Sequence, residues 1–410
     1  MKLWMKLLGG IMLGLLVGLY VPVYGGDGGD LLAFLSKLVN NIGRYMVFPL
    51  CFLGATVAVH ELRAEHRLGA VLPFLMLFIV LCTAGLVTLG VLGISALRPS
   101  RIPIIIEQHA AVARPDFGAL LLSTFPENLF AIFSRSGDFM LPILFLAFVL
   151  GLNLNFNRQI TQPVVLLFDS LNRIAYHINV FITEFLGFGA IALAAWFVVG
   201  MRAIKGIELF AELLIVVGTV VIVAVGLLLP LVLYLVLGKR NPYHWLYSQI
   251  SPAVFAFFSG DLLAALGVAL RHGREDLGIQ RKAGALCYPL AALFCRGGTA
   301  MVTGVCFIAV LRSYSSLELG FLQTLWIIMA AFVVSFLLPA APTGGLLVSL
   351  ALISNGYGRG MEEGYLILMP IVFLLGRIGT AVDVILSSFV SLLAAERLGQ
   401  RKQPAPANFI

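Results

Sequence analysis

Apolar runs long enough to cross a bilayer recur along the chain, and the first half contains little else. They cover residues 4–23, 31–60, 69–97, 138–155, 164–201 and 208–238. About 20 apolar residues wound as a helix cross a hydrocarbon core of roughly 30 Å, so each run predicts a transmembrane helix. Several are long enough to require tilting or protrusion. Between the third and fourth runs, Arg98 to Asp138 is too polar to span, and Pro126-Glu127-Asn128 marks a turn between two apolar pieces within it.

After residue 250 the pattern changes. The run from Ser251 to Ala269 breaks at Ser259-Gly260-Asp261, and that from Lys282 to Leu311 breaks at Cys295-Arg296-Gly297-Gly298-Thr299. The run from Phe321 to Ile353 breaks at Pro339-Ala340-Ala341-Pro342-Thr343-Gly344-Gly345, and Tyr365 to Ala395 carries a polar stripe. Non-helical backbone at membrane depth leaves N–H and C=O groups costing several kcal/mol each unless protein or a water-filled cavity satisfies them. The breaks therefore face the protein interior. Arms of about 10–14 residues flanking a Gly/Pro/Ser tip are too short to cross, so the first and third broken segments read as re-entrant hairpins. Interrupted elements in corresponding places point to the binding site of a secondary transporter. The expected fold is all-α and polytopic, with eight transmembrane helices plus two re-entrant helical hairpins.

Composition excludes the soluble alternatives. Of 410 residues, 60% are hydrophobic and only 11% charged, with a mean hydropathy of +1.02; soluble chains carry about 25% charged residues. A soluble enzyme, a nucleic-acid binder and a single-span receptor are all ruled out. The 27 Lys+Arg exceed the 20 Asp+Glu, but the basic residues lie mostly in short loops and read as topology determinants. Lys2/Lys6, Arg63/Arg67, Lys239/Arg240, Arg271/Arg274/Arg281/Lys282 and Arg397/Arg401/Lys402 place both termini in the cytoplasm of a multi-pass protein of the plasma (inner) membrane. The two hairpins then open to opposite sides. Lys2 and Lys6 precede an apolar run with no cleavage site behind it, which reads as a retained first span. Cys51, Cys82, Cys287, Cys295 and Cys306 sit in apolar surroundings as small hydrophobes; no metal-ligand spacing and no cofactor motif is legible.

The candidate chemistry lies in the broken half. Arg377, Thr380, Asp383, Ser387 and Ser391 recur at spacings of 3, 3, 4 and 4 and so share one helical face. A charge inside a span costs at least ~2.5–3.5 kcal/mol, so Arg296 and Arg377 require acids, and Asp261 and Asp383 are the ones in comparable segments. These residues are expected to form an intramembrane charge network in which Arg296 meets Asp383 or Asp261, with Ser387 beside it. Asp383 is the candidate proton-coupling site. Arg377 is a candidate for gripping a substrate carboxylate in two-pronged fashion. The hairpin tips offer helix N-termini and free N–H groups to an anion. The substrate-binding candidates are Ser259, Asp261, Thr299, Pro342, Thr343, Gly344, Arg377, Thr380 and Asp383. Two other readings stay open: a non-transporting sensor or anion-conducting pore, and an intramembrane aspartyl protease using Asp169 and Asp261. For the protease, Phe258-Ser259-Gly260-Asp261 lacks the first glycine of a G-x-G-D motif.

Six spans, an inner hairpin, a broken seventh span, an outer hairpin and a polar eighth span: this order resembles the dicarboxylate/amino acid:cation symporters, the glutamate-transporter-like family. Local matches include Tyr45-Met46-Val47-Phe48-Pro49, Phe125-Pro126-Glu127-Asn128-Leu129-Phe130, Leu141-Pro142-Ile143-Leu144-Phe145 and Tyr288-Pro289-Leu290. The resemblance implies a homotrimer, a stationary scaffold and a mobile transport domain working by elevator-type alternating access. It assigns residues 1–68 and 98–203 to the scaffold side, 69–97 and 204–398 to the transport domain, and 399–410 to a cytoplasmic tail. It implies a small organic solute, an amino acid or dicarboxylate, with Na+ or H+ as coupling ion. The departures are specific. The N-M-D-G-T of the family's seventh span is here Cys295-Arg296-Gly297-Gly298-Thr299, which replaces a cation-binding acid with Gly297 beside a cation. In the eighth span, anchoring on Thr380-Ala381-Val382-Asp383 puts Gly376 and Gly379 at the family's first acid and arginine, Asp383 at its asparagine and Ser387 at its last acid; anchoring on Gly376-Arg377 keeps the arginine instead. In either register the amino-acid clamp is incomplete. The expectation is therefore that sodium coupling is weakened or replaced by proton coupling.

Overall fold

A computed structural model describes residues 3–21, 27–103, 118, 122, 124–126, 128–134, 139–204, 206–237, 241–314, 320–338, 344–358 and 360–402. Among these the regular secondary structure is helical apart from one antiparallel bridge, Ile279 to Arg401. Seven helical stretches are long and apolar enough to cross a membrane. The expected first and third spans appear as α1 (Leu3–Tyr20) and α4 (Leu68–Leu97). The expected second is α2 (Asp27–Tyr45) joined to α3 (Val47–Ala64) with a break at Met46. Pro49 supplies the reason: without an N–H it cannot bond the carbonyl one turn back, at Tyr45.

The fourth expected span differs. Only α5 (Leu141–Asn153) is helical there, and 13 residues rise about 20 Å, short of a full crossing. The eight-span count thus meets seven long helices among the described residues. α6 (Arg158–Ala203) is longer than expected: its 46 residues rise about 69 Å, so it projects well past a bilayer. α7 (Ala211–Val223) runs through a π-helical turn, Ala224–Leu228, into Leu229–Leu237. Pro230 forces that widening by clashing with the carbonyl four residues earlier, and the freed Gly226 carbonyl accepts from the Tyr243 hydroxyl at 3.4 Å.

The C-terminal half follows the expected interruptions. α8 (Ile250–Ser259) and α9 (Leu262–Glu275) form one pair of arms, and α10 (Arg281–Phe294) and α11 (Gly297–Tyr314) form the broken seventh span. α12 (Phe321–Ser335) and α13 (Gly345–Tyr357) form the second pair of arms, and α14 (Met369–Arg397) is continuous. The arms of the two pairs hold 10, 14, 15 and 13 residues, about 15–23 Å each, below the thickness of a hydrocarbon core.

Packing gathers these helices into two groups, which meet where α3 lies on α10 and α2 on α9. α1 and α2 lie along α6, and α3 packs on α5 and α6. α4 crosses from its place in the sequence to pack on α11, α12 and α14, and α8 to α11 and α13 all touch α14. Every residue of α14 from Val382 to Ala395 is buried, as expected of a helix surrounded by others. Beyond it the chain doubles back: the Gln280 N–H donates to the Gln400 carbonyl and the Lys402 N–H to that of Gly278, each at 2.9 Å.

Candidate functional site: a polar chamber at the helix breaks

The breaks converge on α14. Gly260 takes a left-handed conformation (φ +65°) that ends α8, and a side chain there would press on Arg377 Cγ at 3.3 Å. Only glycine suits both demands. The next residue, Asp261, caps α9: its Oδ1 accepts from the Leu263 and Ala264 N–H groups at 2.9 and 3.2 Å. Its other oxygen is taken by Arg44 of α2 in an ion pair. The acid expected to balance an arginine of the broken half is thus matched from the N-terminal half instead.

The second break is built the same way with the cap supplied in trans. α10 ends at Phe294, and α11 restarts at Gly297. Asp383 of α14 holds the new N-terminus: Oδ1 accepts from the Gly298 and Thr299 N–H groups at 2.7 and 3.0 Å, and Oδ2 from the Thr299 hydroxyl at 2.5 Å. Such an approach requires backbone contact between helices. A Cβ on Gly298 would lie 2.5 Å from Val382 Cβ and 2.7 Å from the Gly379 carbonyl oxygen. Arg296 Nη1 sits 3.6 Å from Asp383 Oδ2, and its Nη2 donates to the Leu338 carbonyl at 3.4 Å, tying the break to the end of the α12 arm. Arg296 is 2% exposed and Asp383 fully buried. Arg296 therefore meets Asp383, one of the two expected pairings.

Arg377 is 6% exposed and has no carboxylate in ion-pair distance among the described residues. Its guanidinium donates to the Phe257 carbonyl at 3.2 Å and to that of Phe258, and lies 4.1 Å from the Phe373 ring centroid and 5.4 Å from that of Phe197. Stacking and carbonyl contacts steady the side chain but leave its charge uncancelled.

These groups surround a chamber of about 560 Å³, within the usual size of small-molecule sites. Ser259, Asp261, Thr299, Gly344, Arg377 and Thr380 line it, as does Arg296. Asp383 stands behind Thr299 and Arg296, outside the lining. Ser387 is buried one turn further on and bonds the Val384 carbonyl of its own helix at 2.8 Å, away from the chamber. Pro342 and Thr343 fall outside the described residues, so only Gly344 and Gly345 represent that tip. The sequence reading missed the opposite wall, which is α2 with Ser36, Lys37, Asn40, Asn41 and Arg44. Their recurrence at three and four residues within an otherwise apolar span was the available signal, since it stripes one helical face with polar groups.

A multi-pass membrane protein whose helix interruptions converge on one polar, protein-lined chamber has the architecture of a secondary transporter. The chain belongs to the sodium:dicarboxylate symporter family, which it matches over residues 3–397. It is 25% identical to the neutral amino acid transporter B(0) of Oryctolagus cuniculus over 397 residues, 86% of this chain and 71% of that one. It is 26% identical to the human excitatory amino acid transporter 2 over 226 residues, 54% of this chain and 38% of that one.

Proposed function

We propose that the protein moves a small organic solute, an amino acid or dicarboxylate, across the plasma (inner) membrane by elevator-type alternating access. The observation that carries this reading is the chamber itself: three helix breaks and the cation of Arg377 meet in one protein-lined space. The packing is in keeping with one part that moves against a stationary one. α4 joins the C-terminal elements while α1, α2, α3, α5 and α6 hold to one another, in keeping with a scaffold of 1–68 and 98–203 and a transport domain of 69–97 and 204–398. Ion pairs cross that boundary at Arg44 with Asp261, Arg281 with Asp169, Arg271 with Glu184 and Lys282 with Glu61. In this reading the arms α8/α9 and α12/α13 are re-entrant hairpins, the termini are cytoplasmic, and the working unit is a homotrimer.

Arg296 supplies a fixed positive charge at the seventh-span break, held against Asp383. Sodium coupling is accordingly weakened or replaced by H+ coupling through Asp383. The protease reading needs two carboxylates that share a proton. Asp169 is instead held by Arg173 and Arg281, and Asp261 by Arg44, which favours the carrier. A silent sensor or anion pore on the same scaffold is separated by uptake: purified protein in liposomes accumulates solute against a gradient only if it is a carrier. The first experiment is a thermal-shift screen across amino acids and dicarboxylates, with and without sodium and at several pH values. A ligand at 100 times its Kd stabilises the folded state by about 2.7 kcal/mol. Stabilisation that needs sodium at every pH would refute the fixed-charge reading.

A further inference from the structure

The charges around the chamber do not cancel, and the surplus is on two opposed helices. Arg44 is committed to Asp261, and Arg296 to Asp383. Asp261 is already charge-balanced and hydrogen-bonded, since α9 donates twice to Oδ1 and Arg44 pairs with Oδ2. Two lining cations remain without a carboxylate among the described residues: Arg377 on α14 and Lys37 on α2. Near them on the α2 wall, Asn40 donates to the Ser259 carbonyl at 3.3 Å while its own Oδ1, though buried, has no partner.

Resting on the carrier reading above, we infer that Lys37 is a specificity-determining residue, which, opposite Arg377, selects solutes bearing two anionic groups and disfavours those carrying an ammonium. The physical case is one of charge balance. A cation buried in a membrane span, as Arg377 is, is unfavourable without a counter-charge, and a dianion meets it and the exposed Lys37 at once. A monoanion leaves one of them unpaired. An amino acid brings a cation that finds no uncompensated carboxylate among the described lining residues and meets Lys37 instead, a like-charge juxtaposition that discriminates by repulsion. The contribution of α2 also ties recognition to conformation. α2 packs on α6 whereas Arg377 belongs to α14, so the two cations face one ligand only when these groups are juxtaposed as they are here.

The test uses the full-length protein with succinate, butyrate and aspartate as probes, with binding read by calorimetry and uptake in liposomes. Succinate is expected to bind more tightly than butyrate or aspartate. In Lys37→Met the preference for succinate over butyrate falls by about tenfold, the scale of one charge contact in a partly solvated cavity, and Lys37→Arg restores it. Lys37 is exposed, so its replacement spares the helix packing. A Lys37→Met protein that keeps the parent's succinate-to-butyrate ratio overturns the inference, as does aspartate binding as tightly as succinate. If solute is still taken up in those cases, the carrier reading survives alone. A parent protein that binds none of the three probes overturns the inference, and one that also accumulates nothing across the amino acid and dicarboxylate screen overturns the carrier reading.

Discussion

Replacing Asp383 by Asn separates the two tasks this carboxylate performs. Asparagine caps a helix about as well as aspartate, so the Gly298 and Thr299 N–H groups keep their acceptor. What is lost is the charge facing Arg296 across 3.6 Å, in a place where one partner is 2% exposed and the other not at all. The new amide N–H group points toward a guanidinium that also donates. Breaking a buried pair by neutralising one member costs about 3–5 kcal/mol, because the remaining charge is stranded. With an unfolding entropy of about 2.1 cal/mol/K per residue, that loss lowers Tm by on the order of 5 °C. Arg296→Leu is expected to cost a similar amount by stranding Asp383. The double variant Arg296→Leu/Asp383→Asn removes both charges and should recover at least half of the summed loss. Thermal unfolding of the four purified proteins in one detergent, analysed as a double-mutant cycle, gives the coupling directly. Strict additivity of the two losses would show that the pair is not the electrostatic unit described here.

Other substitutions probe the remaining contacts. Gly298→Ala places a methyl group 2.5 Å from Val382 Cβ and should cost at least about 1–3 kcal/mol, seen as loss of monodisperse protein in size-exclusion chromatography. Wild-type behaviour there would mean that α11 and α14 are not in backbone contact. Arg377→Gln removes the one lining cation stacked on Phe373 and should abolish ligand-induced thermal stabilisation, while Arg377→Lys retains the charge without the planar stack and should retain it only in part. Asp261→Asn keeps the α9 cap but leaves the Arg44 charge without its counter-charge, so it should bind an anionic solute more tightly, with a change in Tm smaller than that of Asp383→Asn, given that Arg44 is partly solvent-exposed. An Asp261→Asn protein that unfolds as readily as Asp383→Asn would contradict that ranking.

The sequence by itself determined the membrane environment, the helical class and the location of the breaks. Those follow from local composition: long apolar runs have one stable form in a bilayer, and Gly260, Gly297, Gly298 and Gly344 mark where a helix cannot continue unaided. The candidate residues at the tips and on α14 were legible for the same reason, since polar groups at membrane depth are costly and stand out. Partner choice was not legible. Two arginines and two aspartates in the broken half balance in number, yet Asp261 pairs with Arg44, 217 positions away, and Arg377 goes to the carbonyls at the end of α8 and to aromatic faces. Only the tertiary structure decided this, because an ion pair depends on which helix faces lie within a few ångströms, and a sequence records the stripe on each face without recording what it faces. The same holds for α2, whose polar stripe became one wall of the chamber once packing on α6 turned it toward the breaks.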